Sequence, residues 1–417
     1  MDAPLGLIPL KLGSLQVTPG IFMNLAMVLP IAWAFRDGAK IVAPKIIIYA
    51  WFPFLAWVTI EAMRSPAPVE AIKVLFNYLT YMCALYFGYK VSLTGRGIEL
   101  TSKILVYSAI IPIVLTPLQM IVVPYAEHTR AASTFTHPNT FAFFLMISIS
   151  YSFFALLYPR FEVGVGKRAL KFVFFFGMLS LVLTQTRSAM LAVTLFIAIT
   201  TALLRPKLLP FMLIFGLLLF ALPPVHDRFF EVFTGSHEAV DVDTAAAIAN
   251  GKMSGTLALD SYEWRKLIWS SAWQWIIRSP LMGYGLESFG PLSPQFFPLS
   301  NGFDAAHNIY VQLMFELGFI GLCLYLIIFG GLFVHISRIY KRYRPQAILL
   351  GGVVLEYLLC AYSDNLLYYL SVNWYFWFLI GAFLTPRRSL KRLPTKRRML
   401  ARMTMHPKLS FQSRGVD

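Results

Sequence analysis

The sequence predicts an all-α fold, a polytopic transmembrane helix bundle of about 11–12 spans with one large water-exposed loop that contains short interfacial helices. Three observations carry this prediction. The 417 residues are 58% apolar and only 13% charged, with a mean hydropathy of +0.64, outside the range of soluble domains. Apolar runs of roughly 17 to 25 residues, the length a helix needs to cross some 30 Å of hydrocarbon, recur throughout. A single long polar stretch, residues 223–308, interrupts them.

In chain order the expected spans are 17–35, 41–60, 71–92, 104–124, 139–158, 170–186, 188–204, 208–223, 317–337, 346–362 and 366–385. Residues 1–16 hold no positive cluster, long apolar core or small-residue cleavage site, so no removable signal peptide is expected. Orientation follows from the tail, where Arg387, Arg388, Lys391, Arg392, Lys396, Arg397 and Arg398 follow the last span. Cytoplasmic loops carry an excess of lysine and arginine, which places residues 387–417 inside. Counting backward, the inner loops hold Arg338, Lys341, Arg342 and Arg344, then Arg205 and Lys207, then Arg160, Lys167, Arg168 and Lys171, then Lys90, Arg96 and Lys103, and finally Arg36, Lys40 and Lys45. Every one is basic, so the net charge of +16 reports topology, and no nucleic-acid partner is expected. The outer loops are 61–70, 125–138, the tight joint 185–188, 223–308 and 363–365. Eleven spans put the N-terminus outside, unless residues 5–16 hide a further element. The chain thus divides into membrane helices over 1–222, the large outer loop 223–308, membrane helices over 309–386 and a basic cytoplasmic tail, 387–417.

Within the large loop, residues 236–256 are acidic, small and alanine-rich and read as an excursion. Residues 262–277 differ: Trp264, Leu267, Ile268 and Trp275, with Trp269 and Trp273, describe a helix expected to lie along the membrane interface, where indoles prefer to sit. Pro280 ends it, and Gly283-Tyr284-Gly285 follows as a turn. Cys83, Cys323 and Cys360 lie inside apolar runs without paired or metal-ligand spacing, and read as small buried hydrophobes.

By this topology Arg130, His137, Arg187, Arg265 and His307 all fall on the outer side. A guanidinium at membrane depth is costly unless it is paired or faces water, so Arg187 in Thr184-Gln185-Thr186-Arg187-Ser188 is a functional candidate. The planar fork of arginine suits phosphate oxygens, and two such forks beside one histidine can bind a diphosphate while the imidazole takes a proton. Structural alternatives stand beside each. Arg187 can cap its span and snorkel, Arg265 can anchor at the interface or pair with Glu263, and His137 before Pro138 can start a helix. His307 with Asn308 can be a cap. Glu316, Glu356 and Asp364 are acids in or beside spans that can pair with the arginines or hold a polar cavity. Asp241-Val242-Asp243 has the spacing of a divalent-metal site, but it lies in the excursion, so neither metal nor cofactor is expected.

His307-Asn308-Ile309-Tyr310-Val311-Gln312-Leu313 followed by Glu316-Leu317-Gly318-Phe319-Ile320-Gly321 resembles the signature of the O-antigen ligase and polysaccharide polymerase superfamily of bacterial membrane proteins. Ser133-Thr134-Phe135-Thr136-His137-Pro138-Asn139, Thr186-Arg187-Ser188-Ala189, and Arg265 to Trp269 leading into Pro280-Leu281-Met282-Gly283-Tyr284-Gly285 agree in order and spacing. The resemblance implies a multi-pass inner-membrane enzyme with its active site on the periplasmic side. Such an enzyme transfers a glycan from undecaprenyl pyrophosphate to an acceptor hydroxyl, inverting and without metal. Carried over by position, His307 would be the base and Arg187 and Arg265 would hold the pyrophosphate. Asn308 and Tyr310 would shape the site, with Arg130, His137 and Glu316 supporting it.

The adopted reading is an O-antigen ligase with the lipid A core as acceptor. The alternative within the superfamily is a polymerase that extends another lipid-linked repeat or a growing polysaccharide. A flippase or other transporter of lipid-linked sugars would call for duplicated halves, and no duplication is visible. A protein that merely binds headgroups would leave the outward arginines and histidine without a role.

Overall fold

The computed structural model describes residues 10–12, 15–17, 43–94, 96–122, 130–161, 164–221, 261–300, 302 and 304–385. The expected first span beyond residue 17, the loop portion 125–129, the excursion with Asp241 and Asp243, and the basic tail from 387 lie outside the described residues.

Apart from a short antiparallel ribbon, Leu10–Leu12 paired with Leu15–Val17, the fold is all-α. The helices are α1 Ile47–Met63, which opens in a π turn, α2 Pro68–Ser92, α3 Gly97–Val122, α4 Pro138–Leu157, α5 Lys167–Thr184 and α6 Arg187–Leu204. There follow α7 Leu209–Phe220, α8 Ser261–Ile276, α9 Phe289–Phe296, α10 Ile309–Tyr340, α11 Arg344–Ser363 and α12 Leu370–Phe383. Five of the described helices, α3, α4, α6, α10 and α11, are long and apolar enough to cross a membrane.

Most boundaries fall where the apolar runs begin and end, and the exceptions have local causes. Helix α3 starts seven residues earlier than expected, its polar first turns bridged by Glu99 and Lys103 at 2.6 Å, an i,i+4 pair. Helix α12 starts four residues later, because Leu366–Tyr368 forms a 3₁₀ turn. Helix α10 starts eight residues earlier than its apolar run, since Asn308 caps it.

Helix α4 is buried on all sides and packs against α3, α5, α6, α11 and α12. Helices α2 and α12 touch along their backbones. A Cβ on Gly88 would run into the Phe378 carbonyl oxygen, and one on Gly381 into that of Leu85. Such close approach through small residues is the packing mode of membrane helices.

Helix α10 breaks at Gly318, whose φ of 66° and ψ of −173° are open to glycine alone. The backbone groups released by the break find partners. The Phe315 and Glu316 carbonyls accept from Tyr284 N (3.0 Å) and Gly285 N (2.9 Å), while Phe319 N donates to Pro280 O (2.8 Å) and Ile320 N to Leu281 O (3.3 Å). The Leu317 carbonyl accepts from the Trp57 indole at 3.0 Å. The turn after α8 is thereby stitched into the break, and Arg64 grips its far side through the Met282 and Gly283 carbonyls.

Helix α8, expected along the membrane interface, has its apolar face covered by protein. Its apolar face, with Leu267, Ile268, Ala272 and Ile276, packs together with Trp264, Trp269 and Trp275 onto Phe289, Phe296, Phe297 and Phe315. The indoles build a small second core, and among them Trp273 is the exposed one.

The bundle has two unlike ends. At one, Ser92 meets Thr385, Gln346 meets the Phe383 carbonyl, and Arg344 reaches the Leu203 carbonyl. Among the described residues, Lys90, Arg96, Arg205, Lys207, Lys341, Arg342 and Arg344 of the expected inner loops lie on or beside these segments. At the other end, Glu61 and Arg64 meet residues 282–286, and Arg130, Asn139, Thr186, His307 and Asp364 lie together.

Candidate functional site

His307 sits in the left-handed region at φ 47°, where a non-glycine residue needs the surroundings to hold it. Both flanks are fastened. Ala306 N donates to the Gln312 side-chain carbonyl (2.9 Å), the Ala306 carbonyl accepts from the Trp269 indole (2.6 Å), and Asn308 N donates to the Asn365 side chain (2.9 Å). The helix cap is Asn308 rather than His307: its side chain accepts from Tyr310 N and Val311 N. The imidazole therefore stays out of the cap. It is 41% exposed, with its Nδ1 3.3 Å from Oδ1 of Asp364 and its ring edge-on to Trp264.

Asp364 ends α11 and is buried. Besides His307 it accepts from Asn139 Nδ2 (2.6 Å), the Tyr369 hydroxyl (3.0 Å) and Asn365 N (2.8 Å). Burial pushes its carboxyl up, but the hydrogen bond and charge of His307, with the Asn139 and Asn365 donors, outweigh this and hold it below the usual carboxylate range. Asp364 is thus an anion at neutral pH. A carboxylate on Nδ1 fixes the tautomer with Nδ1–H, which leaves Nε2 to accept a proton.

Asn139 extends the network. Its side-chain oxygen accepts from Arg130 (2.6 Å) and from the Thr186 hydroxyl (3.2 Å), and Arg130 also donates to the Thr184 carbonyl (2.8 Å) and to Thr186 Oγ1 (3.0 Å). Arg130 therefore braces the α5–α6 joint, where Gln185 takes φ 53° and Arg187 opens α6. Arg265 lies on α8 in electrostatic range of both Asp364 and Arg187. Burial, above all, lowers its guanidinium; the Asp364 and Tyr369 charges oppose this, and Arg187 adds to it. The sequence-predicted residues Arg187, Arg265 and His307 are thus brought to one end of the bundle, His307 on Asp364 and Arg265 in electrostatic range of both Asp364 and Arg187.

The other sequence-predicted residues have assignable places. His137 caps α4, its Nδ1 accepting from Asn139 N at 3.1 Å, as its helix-start alternative describes. The Tyr310 hydroxyl donates to the Leu358 carbonyl at 2.8 Å and ties α10 to α11. Glu316 accepts from Gln312 Nε2 at 2.5 Å, so it orients the amide that clamps Ala306 and Asn365 on either side of the His307–Asp364 pair. Glu356 accepts from Ser150 inside the bundle. Asp364 as the partner of the histidine, and Asn139 and Tyr369 as its donors, were not assigned those roles from sequence. The available signal was an acid at the mouth of a span in an outer loop.

Residues 172–326 match the family model described as O-antigen ligase, which supports the O-antigen ligase and polymerase superfamily and a glycosyltransferase-like membrane enzyme. The matched stretch contains Arg187, Arg265, His307 and Glu316, and leaves Arg130, His137 and Asp364 outside. No curated protein matches the chain.

Proposed function

We propose that this chain is an inner-membrane glycosyltransferase of O-antigen ligase type. It transfers a glycan from undecaprenyl pyrophosphate to a hydroxyl of the lipid A core at the periplasmic face. The observation that carries the reading is the His307–Asp364 pair at 3.3 Å with Arg265 and Arg187 in electrostatic range at the same end of the bundle. The end that bears the lysines and arginines of the inner loops is assigned to the cytoplasm, which turns the site outward.

The chemistry follows from the groups present. His307, its Nδ1–H held by Asp364, takes the proton of the acceptor hydroxyl as that oxygen attacks the anomeric carbon of the donor. The bond from that carbon to the pyrophosphate oxygen breaks, and the face of attack inverts the configuration. Arg187 and Arg265 neutralise the charge that develops on the departing diphosphate. A lipid diphosphate is already a good leaving group, so positioning and one proton acceptor supply most of what is required. Arg130 and Asn139 keep the joint that presents Arg187 in register with Asp364.

The test is a transfer assay on protein in lipid nanodiscs, with a synthetic polyprenyl-pyrophosphate oligosaccharide as donor and, separately, a lipid A core glycolipid or a second lipid-linked repeat as acceptor, with and without chelator. Transfer to the core supports the ligase, and transfer to the lipid-linked repeat makes the protein a polymerase. Loss of transfer on chelation would bring Asp241 and Asp243 into the mechanism. His307→Ala should abolish product with membrane insertion retained; wild-type product from that variant would overturn the assignment.

A further inference from the structure

A cavity of about 380 Å³ opens beside His307 and Asp364, and its other charged lining is acidic: Glu70, Glu287 and Asp304. Neither Arg187 nor Arg265 lines it. The volume is at the lower end of the range for small-molecule sites, about 300–1,000 Å³, and suits a sugar ring or two.

Glu287 lines this cavity at φ 60°, a strained position for a side-chain-bearing residue; Tyr368 hydrogen-bonds its carboxyl, and its buried Oε1 has no hydrogen-bond partner. A buried acceptor without a donor is costly, and such groups in a folded protein call for a specific explanation. Asp304 is anchored through its Oδ2, which accepts from both Ser293 and Ser300. Glu70 is tempered by Lys73 at 2.6 Å. Both carboxyls beside the proposed base are suited to accept from sugar hydroxyls; burial raises that of Glu287 against the Tyr368 hydrogen bond, so the repulsion of phosphate and carboxylate groups falls chiefly to Asp304.

We infer that this cavity is the acceptor subsite. It takes the terminal sugar of the acceptor glycan as an uncharged ring, its hydroxyls donating to Glu287 and Asp304, and discriminates against phosphorylated or uronic-acid termini. The inference rests on the glycosyltransferase reading above and deepens it. His307 then stands at the boundary between an arginine-bearing region for the donor diphosphate and an acidic region for the acceptor. The sign of the charge on each side keeps the two substrates from exchanging places.

The experiment uses the full chain in nanodiscs, the synthetic polyprenyl-pyrophosphate donor, and matched acceptors ending in a neutral or a phosphorylated sugar. Glu287→Gln and Asp304→Asn are each expected to raise the acceptor KM about 10- to 100-fold, the loss of one charge-assisted bond, with the donor KM unchanged. Wild-type protein should prefer the neutral terminus, and Asp304→Asn should narrow that preference. Unchanged acceptor KM in the folded variants, or equal use of both termini by wild type, overturns the subsite. Wild-type protein that transfers to neither acceptor refutes the glycosyltransferase reading instead, so the two failures are distinguishable. Should Glu287→Gln fail to fold, Asp304→Asn decides alone, since its serine anchors can still donate to the remaining amide oxygen.

Discussion

Replacing Asp364 by asparagine removes one charge and almost no volume, and its effect can be worked from the geometry. An ion pair with its charged atoms 3.3 Å apart has a Coulomb energy of about 5 kcal/mol at an effective dielectric of 20 and about 1 kcal/mol in bulk water. The His307 side chain is 41% exposed, so solvent screening moves the value well down from the upper figure; about 2–3 kcal/mol is the working estimate for the imidazolium formed in the transition state. That corresponds to roughly a 30- to 150-fold fall in kcat. The amide also cannot repeat the hydrogen bonding, because the carboxylate accepts from Asn139, Asn365 N and the Tyr369 hydroxyl as well as facing His307. Whichever way the new amide turns, its NH₂ meets at least one donor. Asp364 is a positioning residue, so the assay must separate chemistry from folding. Transfer would be followed against pH with donor and acceptor varied independently. The expected result is a lowered kcat, little change in donor KM, and a displaced limb of the pH profile. Wild-type kcat with an unshifted profile would refute the pairing argument.

Arg265→Ala should raise the donor KM about 10- to 100-fold, the loss of charge-assisted bonds to the diphosphate, read by titrating the lipid-linked donor at saturating acceptor. Gly318→Ala puts a Cβ into the Leu281 carbonyl at a glycine-only conformation. It should cost at least about 1–3 kcal/mol, measured as a lower melting temperature in detergent. Gly381→Val should separate α2 from α12, a loss of about 1–3 kcal/mol or more visible in the yield of monodisperse protein. The depressed carboxyl of Asp364 fixes a sign for acid treatment. Its contribution to stability is fully present above the ordinary aspartate pKa of about 3.9 and is lost as pH falls through the lower folded value. Asp364→Asn should therefore lower stability by a constant amount above about pH 4 and flatten the acid unfolding curve below it.

The helices were legible because a lipid-spanning run advertises itself by length and hydropathy alone, and the cations of the site because an arginine or histidine at the mouth of a span stands out against apolar neighbours. The partner of the histidine did not stand out. Asp364 and His307 are 57 residues apart, and nothing periodic links a loop acid to a residue on another helix. Gly318 lies inside the expected span 317–337 and in the signature that ends at Gly321, and neither signals that its backbone breaks the helix. The tryptophans of α8 carried a true composition signal, but composition does not say whether an indole faces lipid or a neighbouring phenylalanine. His137 shows the reverse: Pro138 after it announced a helix start, and that is what it is.

The break in α10 also sets a height. The 22 residues from Phe319 to Tyr340 rise about 33 Å, enough by themselves to traverse hydrocarbon of about 30 Å. The nine residues from Ile309 to Leu317 are therefore not needed for the crossing, and on the proposed reading they stand at the height of the headgroups, with His307 at their tip. On that reading a carrier lipid would hold its phosphates at that height and a sugar chain would reach it from water, so a bent helix would let one greasy and one soluble reactant meet without either leaving its own phase.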